Sequence, residues 1–348
     1  MRKTSFESDY NNGAHPEVLR HLLETNCESS ASYGYDEWSE SARKKIREAT
    51  ECPEADIYFL AGGTQTNATV IDALVRPYQA VLAVETAHIN VHESGAVEAS
   101  GHKVVALPSY EGRMEAEVLE NYLRRFYSDP TWEHMAVPGM VYVTMPTELG
   151  TIYSREELER IWQVCQAFGM KLYVDGARLG YGLMAEGCDF DLPWLGHHCD
   201  VFYIGGTKVG ALCGEAVVFP QGAPKGFFTH MKAHGALLAK SRVAGVQFDA
   251  LFTDELYFRI GHHAIDMAMQ LRDIFLKAGY EMKNSPTNQQ FVVLDNAEVN
   301  LLMQKILFET WEPIDEQRML CRFVTSWATT ESDLEELREA LHSLSACA

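Results

Sequence analysis

The sequence predicts an α/β fold, in which a large domain is built on a mainly parallel sheet of seven strands and a small α+β domain follows. Two observations support this prediction. Short apolar runs alternate with longer segments of helical periodicity, and several of the runs contain no polar residue, as in strands buried on both faces. The predicted strands are 57–60, 80–84, 104–107, 140–143, 171–174, 201–204 and 216–219.

Segments of helical periodicity separate these strands. The helices that we predict between them are 66–75, 114–126 and 154–168. The third begins with a capping box, in which Ser154 is followed by Glu157, and it ends at Gly169. Because strands and helices alternate from about residue 50 to residue 245, we expect the sheet to be mainly parallel.

The pattern changes after residue 246. A long helix at about 254–278 precedes short strands at 291–294 and 319–323 and a last helix at about 331–344. These elements predict a small α+β domain. We therefore expect two units, an N-terminal segment with the large α/β domain over residues 1–245 and the small domain over residues 246–348.

Composition and charge limit the kinds of partner. Of 348 residues, 29 are basic and 49 acidic, which gives a formal net charge of −20 and disfavours nonspecific binding to nucleic acid or anionic lipid. We recognise no signal peptide and no stretch that could span a bilayer. The eight cysteines form no Cys-x-x-Cys pair, so we expect reduced thiols. A cytoplasmic protein that acts on a small molecule is predicted, with no nucleic acid, membrane or metal partner.

A Gly-Gly-Thr-Gln-Thr-Asn run at 62–67 follows the first predicted strand and precedes a helix. Ligands of parallel sheets gather at the carboxyl ends of the strands, and glycines at a helix N-terminus suit a phosphate. An ordinary turn is the alternative. The run matches neither the G-x-G-x-x-G nor the Walker pattern, so dinucleotides and nucleoside triphosphates lose their main support.

His88 follows the next predicted strand, where its ring could stack on a planar ligand. A buried, hydrogen-bonded histidine is the plainer interpretation. Together with His92 and Glu93, His88 could instead hold the metal of a hydrolase, although Ile89 stands where the H-E-x-x-H pattern requires glutamate.

Asp175 and Lys208 end two further apolar runs. A carboxylate buried after three apolar residues needs a cation, and a protonated pyridine nitrogen would be one. An internal ion pair with Arg178 is the alternative. Lys208 lies among glycines, where a lowered pKa would favour the neutral amine that an imine requires, unless it is simply a surface lysine.

These features together are the parts of a pyridoxal 5′-phosphate site. The sequence resembles the threonine aldolase family of low-specificity L-threonine aldolase-like proteins, beta-eliminating lyases of the aspartate aminotransferase superfamily (fold type I). The resemblance extends from Phe6 to Trp327, nearly the whole chain. The motifs that carry it are Gly-Gly-Thr-Gln-Thr-Asn at 62–67, Asp-Gly-Ala-Arg at 175–178 and Gly-Gly-Thr-Lys at 205–208.

The resemblance implies a role for individual residues. Lys208 would carry the cofactor as an internal aldimine, Asp175 would hold its ring nitrogen protonated, and His88 would stack on its ring. The other residues implied in cofactor binding are Gly63, Thr64, Gln65, Arg178 and, from the neighbouring subunit, Arg242. The residues implied in substrate binding are Ser8, Tyr33, Arg178 and Arg322.

The activity implied by the resemblance is cleavage of the Cα–Cβ bond of β-hydroxy-α-amino acids, through an external aldimine and a quinonoid. L-Threonine or L-allo-threonine would yield glycine and acetaldehyde. Alternatives are another pyridoxal phosphate reaction, such as β-elimination or transamination, the metal-dependent hydrolase, and a cofactor-free protein that keeps the fold. The resemblance also implies a homodimer or homotetramer with active sites at the subunit interface.

One loop departs from the family pattern. The family has a histidine near the substrate hydroxyl, whereas residues 145–150 read Met-Pro-Thr-Glu-Leu-Gly. The base that accepts the hydroxyl proton is therefore left open among Glu148, His92 and a bound water.

Overall fold

Alternating strands and helices make up residues 3–345, the part of the chain that the computed structural model describes. The strands are β1 (Thr4–Ser5), β2 (Asp56–Leu60), β3 (Gln79–Val84), β4 (Lys103–Leu107), β5 (Val137–Thr144), β6 (Lys171–Asp175), β7 (Val201–Gly205), β8 (Glu215–Phe219), β9 (Gln289–Asp295), β10 (Ile306–Leu307), β11 (Glu309–Pro313) and β12 (Arg318–Val324). The helices are α1 (Pro16–Thr25), α2 (Glu37–Thr50), α3 (Gly63–Leu74), α4 (His88–Val91), α5 (Ala96–Ala99), α6 (Ala116–Ser128), α7 (Arg155–Ala167), α8 (Leu179–Met184), α9 (Leu192–His197), α10 (Phe227–Ala233), α11 (Arg242–Leu251), α12 (Leu256–Lys277), α13 (Asn296–Leu302) and α14 (Glu331–Ser345).

The large sheet has seven strands in the order β2-β8-β7-β6-β5-β3-β4. Four of its pairings are parallel, and β8 runs antiparallel to both of its neighbours, β2 and β7. Each of the seven predicted strands lies within one of these elements, so the prediction of a mainly parallel seven-stranded sheet is confirmed.

Helices cover the sheet, and this explains its uninterrupted apolar runs. Val81, Val141 and Leu172, on three neighbouring strands, have no exposed surface. Full burial of such a side chain contributes about 1.5–3 kcal/mol, and strands buried on both faces have no position where a polar side chain reaches water. The central strands therefore carry the main core of the protein.

The predicted start of α3 was wrong by three residues. The helix begins at Gly63 rather than at residue 66, with Gly62 as its extended N-cap. Of the two glycines that predict a turn, Gly63 therefore belongs to the first turn of the helix, because burial of the following residues outweighs the low helix propensity of glycine. By contrast, the capping box of α7 is confirmed: Ser154 Oγ accepts from the Glu157 amide at 3.2 Å, and Glu157 Oε2 accepts from the Ser154 amide at 2.7 Å.

The second part of the chain builds a three-stranded antiparallel sheet, in the order β11-β12-β9, covered by α12 and α14. The chain start joins this region, since β1 pairs in parallel with β10 and Phe6 lies in the same apolar cluster. The predicted domain boundary at residue 245 falls within α11, which packs on α1 and α2. The division of the chain into two domains remains a prediction.

Two findings concern cysteines and membrane spans. The seven described cysteines are free, and Cys347 lies outside the described residues. Within residues 3–345, none of the helices combines the length and the apolar character needed to cross a bilayer.

Candidate active site

A cavity of about 280 Å³ lies at the carboxyl ends of the parallel strands of the large sheet. Six predicted site residues line it: Gly63, Thr64, His88, Asp175, Arg178 and Lys208. They meet there because β3, β5, β6 and β7 are adjacent and parallel, so the segments that follow these strands leave the same edge. The register places Asp175 directly beside Thr144 at the ends of β6 and β5.

Glycines let the ends of β6 and β7 approach each other. A Cβ added to Gly176 would lie 1.9 Å from the Tyr203 carbonyl oxygen, and one added to Gly205 would lie 2.2 Å from that of Ala177. The gap is instead closed by a hydrogen bond of 2.9 Å from the Gly205 amide to the Gly176 carbonyl. Any side chain at either glycine would separate the strand ends that carry Asp175 and Lys208.

Asp175 is buried, and donors surround its carboxylate. Oδ2 accepts from Asn67 Nδ2 at 3.0 Å and from the Tyr142 hydroxyl, and Oδ1 accepts from the Ala177 amide at 3.0 Å. Asn67 is itself held by the Tyr173 hydroxyl, which donates to its Oδ1 at 2.8 Å. Hydrogen bonds of this kind offset the cost of burying a carboxylate. The alternative of an internal ion pair between Asp175 and Arg178 is therefore wrong.

Arg178 binds a different carboxylate, that of Asp9 in the segment after β1. Its Nε and Nη2 donate to the two Asp9 oxygens at 2.7 and 3.0 Å, and Asn288 Nδ2 donates to Asp9 at 3.0 Å. Burial opposes ionisation of Asp9, but the charge and hydrogen bonds of Arg178 outweigh it and lower the pKa of this carboxyl. The pair fixes the guanidinium at the cavity wall, with Nη1 not engaged by Asp9.

His88, at the start of α4, is oriented by Glu93, whose Oε1 lies 2.7 Å from His88 Nδ1. Burial opposes protonation of the ring, but the hydrogen bond to Glu93 and the charge of Asp175 outweigh it and raise the pKa of His88. Since Asn67 Nδ2 donates to the same Glu93 oxygen at 2.7 Å, one network joins His88 to Asp175.

Within residues 3–345, no group of three or more histidine, cysteine or acidic side chains is arranged to hold a metal ion. The hypothesis of a metal-dependent hydrolase therefore lacks a ligand set in this part of the chain. The ring of His88 is already bound by Glu93, and His92 is exposed and faces Trp311 at 6.1 Å between ring centroids. The rings of His88 and His92 are neighbours, 5.6 Å apart between centroids, but within residues 3–345 these side chains and Glu93 do not form a metal ligand set.

Lys208 follows β7, and its amine makes no hydrogen bond or ion pair with any residue in the described part of the chain. The centroid of the Tyr10 ring lies 5.9 Å from its Nζ. Burial, followed by the charge of Arg178, lowers the pKa of Lys208. A partially desolvated amine without a partner is suited to nucleophilic attack.

The remaining predicted residues do not line the cavity. Gln65 lies in the first turn of α3, where Nε2 donates to the His234 carbonyl at 3.3 Å, and Ser8 Oγ accepts from the Tyr10 amide at 3.4 Å. Arg242 donates to the carbonyls of Thr25, at the end of α1, and of Glu28, and the Tyr33 ring lies 4.9 Å from Lys232 Nζ.

Arg322 likewise has partners away from the cavity. It donates to Gln289 at 2.9 Å and to Glu309, and it lies 4.6 Å above the Trp311 ring. Burial, followed by the charge of Arg178, lowers the pKa of its guanidinium. Its predicted role in substrate binding, like those of Ser8 and Tyr33, stays a prediction.

Several cavity residues escaped the sequence analysis. Glu215 is buried beside Lys208, accepts from the Gly206 amide at 3.0 Å, and burial raises its pKa to about 7. Glu215 immediately precedes the predicted strand 216–219. A charged residue at the end of an apolar run is also the signal that identified Asp175. Asp9, Asn67 and Tyr142 support the cavity residues from outside its lining. Asn67 ends the run at 62–67, but no local signal gives the role of these three residues, because their partners are distant in sequence.

These groups fit pyridoxal 5′-phosphate. The first amides of α3, at Gly63 and Thr64, have no intrahelical acceptor and can bind a phosphate. A Cβ at Gly62 would meet no atom within 4 Å, so space is open in front of this helix end. Asp175 offers a fixed negative charge for a protonated ring nitrogen, and no described residue competes for the Lys208 amine through a hydrogen bond or an ion pair.

Comparison with known proteins gives a consistent result. The family model described as beta-eliminating lyase matches residues 5–297. The low-specificity L-threonine aldolase of a Pseudomonas strain is 30% identical over 340 residues, which cover 95% of each chain, and that of Pseudomonas aeruginosa is 31% identical over 77% of each. The structure of Leishmania major threonine aldolase superposes with a TM-score of 0.93 at 36% identity, covering 98% of this chain and 99% of that one.

More distant structures share the fold alone. An aspartate aminotransferase variant of Thermus thermophilus superposes with a TM-score of 0.69 at 16% identity, over 99% of this chain and 92% of its own. The fold is therefore the aspartate aminotransferase-like fold type I, as the resemblance implied.

Proposed function

Because the chain belongs to the beta-eliminating lyase family, we propose that it is a pyridoxal phosphate-dependent aldehyde-lyase that cleaves L-threonine or L-allo-threonine to glycine and acetaldehyde. The observation that carries this proposal is the presence, in one cavity, of an unpartnered lysine amine and a buried carboxylate with three donors. The threonine aldolase relatives specify the bond to be cleaved.

Different residues of the chain have different roles in the proposed reaction. Pyridoxal phosphate supplies, when bound, an electron sink for the bond that breaks at Cα. Asp175 holds a proton at the ring nitrogen, because its negative charge is fixed by Asn67 and Tyr142 and needs no reorganisation. The His88 ring, oriented by Glu93, would cover the face of the planar group.

Arg178 orients the substrate. Its contact with Asp9 leaves Nη1 for the α-carboxylate of an amino acid, and the buried pair keeps the guanidinium from moving. A carboxylate held there would fix the orientation of the substrate's Cα, and with it the bond that the bound cofactor would activate.

The proposal is tested by incubating purified protein with pyridoxal phosphate and each of the two threonine isomers. We expect a visible absorption band of the bound cofactor and equal amounts of glycine and acetaldehyde. Formation of 2-oxobutyrate and ammonia would instead indicate β-elimination, and consumption of an added 2-oxo acid would indicate transamination. Absence of any band with the cofactor supplied would contradict the assignment.

We also propose that the protein is a cytoplasmic homodimer or homotetramer with active sites at the subunit interface. Tyr33 and Arg242 do not line the cavity of their own chain, and their positions are compatible with a role in the active site of a neighbouring subunit. Co-expression of Lys208→Ala and Arg242→Ala chains tests this arrangement, since a mixed dimer would contain one intact site. Recovery of activity absent from both parent variants is expected, whereas additive inactivity or a monomer by light scattering would contradict it. Cell fractionation tests the location.

A further inference from the structure

Glu148 lies in the loop between β5 and α7, and its carboxyl group forms part of the cavity wall. Its two oxygens differ in their surroundings. Oε1 accepts from the His88 amide at 3.2 Å and from the Thr144 hydroxyl at 3.2 Å. Oε2 is buried and has no hydrogen-bond partner in the described part of the chain.

We propose that Glu148 is the catalytic base that takes the proton of the substrate's β-hydroxyl group. The inference rests on the proposed aldol cleavage and adds the residue that completes it. A buried carboxylate oxygen without a donor is unfavourable, and native structures rarely leave one unexplained. A hydroxyl group on the bound amino acid is the kind of donor that this oxygen lacks.

The charges around Glu148 suit a proton acceptor. Burial, followed by the negative charge of Asp175 across the cavity, raises the pKa of Glu148 to about 7, while His88 partly opposes this shift. The other titratable groups that face it, Tyr142 and Tyr153, are buried phenols whose pKa values burial raises, so both stay neutral. A carboxyl group that titrates near neutrality can both accept and release a proton at physiological pH.

His92, the other side chain considered for this role, is poorly placed. It does not line the cavity and its side chain is exposed, with its ring on the outer side of His88 at 5.6 Å and beside Trp311 at 6.1 Å between centroids. Glu215 is also a buried cavity carboxyl, but its Oε2 is occupied by the Gly206 amide beside Lys208. Among the described residues, Glu148 therefore combines burial from solvent, a position in the cavity wall and an acceptor atom without a donor.

The step balances without a further reagent. As the Cα–Cβ bond breaks, the hydroxyl O–H bond breaks with it, its proton passes to Glu148, and the oxygen forms the aldehyde double bond. The electron pair of the Cα–Cβ bond remains with Cα, which takes up one proton to give glycine. One proton leaves the hydroxyl and one reaches Cα, so the enzyme ends in its starting protonation state.

The variant Glu148→Gln tests the role in the cofactor-loaded enzyme, because it keeps an acceptor for the His88 amide and the Thr144 hydroxyl but cannot take a proton. We expect kcat for threonine cleavage to fall by about 100-fold or more. Exchange of a glycine α-proton in D2O, followed by NMR, needs no hydroxyl base and should stay within about three-fold of wild type. The visible band of the cofactor should also persist.

The pH profile separates a base from a structural residue. A base acts when ionised, so wild-type kcat/KM should fall as pH drops through about 7, and this limb should be absent in Glu148→Gln. Glu148→Asp should restore part of kcat and the limb with it. His92→Gln is the matched control, with near-wild-type cleavage expected.

Three results would overturn the assignment: retained kcat in Glu148→Gln, an unchanged pH limb in that variant, or parallel loss of glycine exchange and cofactor binding. The last would make Glu148 part of the cofactor-binding structure. Failure of the proposed function itself looks different, since wild-type protein would then form no acetaldehyde from threonine.

Discussion

The two carboxylates that face each other across the cavity have opposite surroundings. Asp175 accepts hydrogen bonds on both oxygens, from Asn67, Tyr142 and its own turn, whereas one buried oxygen of Glu148 has no donor within residues 3–345. Both are nearly inaccessible to solvent, so burial alone does not distinguish them. A carboxylate whose two oxygens both accept hydrogen bonds can hold a constant charge. A carboxylate with one oxygen that lacks a donor is suited to changing its protonation state.

The largest effect is expected for Lys208→Ala. Lys208, like Glu148, has a polar atom without a hydrogen-bond partner in residues 3–345. The amine makes no hydrogen bond or ion pair with residues 3–345, so its removal should leave the thermal unfolding temperature unchanged within about 2 °C. Cleavage of threonine should fall by more than about 1,000-fold, since the nucleophile is lost. Borohydride reduction and peptide mass mapping of wild type should find the cofactor on Lys208, and modification of a different residue would contradict the assignment.

Asp175→Asn tests the carboxylate whose two oxygens both accept hydrogen bonds. The amide removes the charge and turns one acceptor into a donor that faces Asn67 and Tyr142. We expect a loss of about 100-fold or more in kcat/KM and a decrease of about 2 kcal/mol in the free energy of unfolding. Steady-state kinetics and urea denaturation measure the two effects, and unchanged stability would show that the donors around Asp175 are not a structural requirement.

Glu148→Gln should have the opposite effect on stability. The folded-state pKa of Glu148 is about 7, above the ordinary 4.5, so the unfolded chain releases this proton first as pH rises. The ionised group therefore destabilises the fold progressively between pH 4.5 and 7, and fully above 7. Cofactor-free Glu148→Gln should be more stable than wild type by up to about 3 kcal/mol at pH 8 and about equal at pH 4. Urea denaturation at both pH values measures this, and a variant less stable at pH 8 would contradict it.

The smallest effect is expected for Tyr142→Phe, which removes one of the three donors to Asp175. The ring remains packed, and the Asn67 and Ala177 donors stay. We expect a loss of about 1 kcal/mol in the free energy of unfolding and a reduction of up to about ten-fold in kcat/KM. A loss as large as that of Asp175→Asn would mean that a single donor, rather than the set, fixes the charge.

The parts of the site that the sequence predicts are those encoded within one short segment. An apolar run followed by a polar residue identified Asp175 and Lys208, and a glycine-rich run identified Gly63 and Thr64, because strand burial and turn chemistry are local properties. The mainly parallel sheet was predictable for the same reason, since the seven apolar runs correspond to its strands. The aspartate aminotransferase-like fold type I was implied by the family resemblance and not by these runs.

The rest depends on contacts between distant segments. The Asp9–Arg178 pair joins residues 169 positions apart, and Asn67 contacts Asp175 across 108 positions. No local pattern in a single sequence encodes such a pairing. The start of α3 was missed for a related reason: tertiary packing at the cavity overrides the low helix propensity of glycine.

The pairing of β1 with β10 affects how the protein is made. Thr4 lies opposite Ile306, and Asp9, just after β1, fixes the cavity arginine. A ribosome must therefore synthesise almost the entire chain before β1 finds its partner strand. Because contacts of such long sequence separation form slowly, we expect the guanidinium at the cavity wall to gain its orientation late in folding.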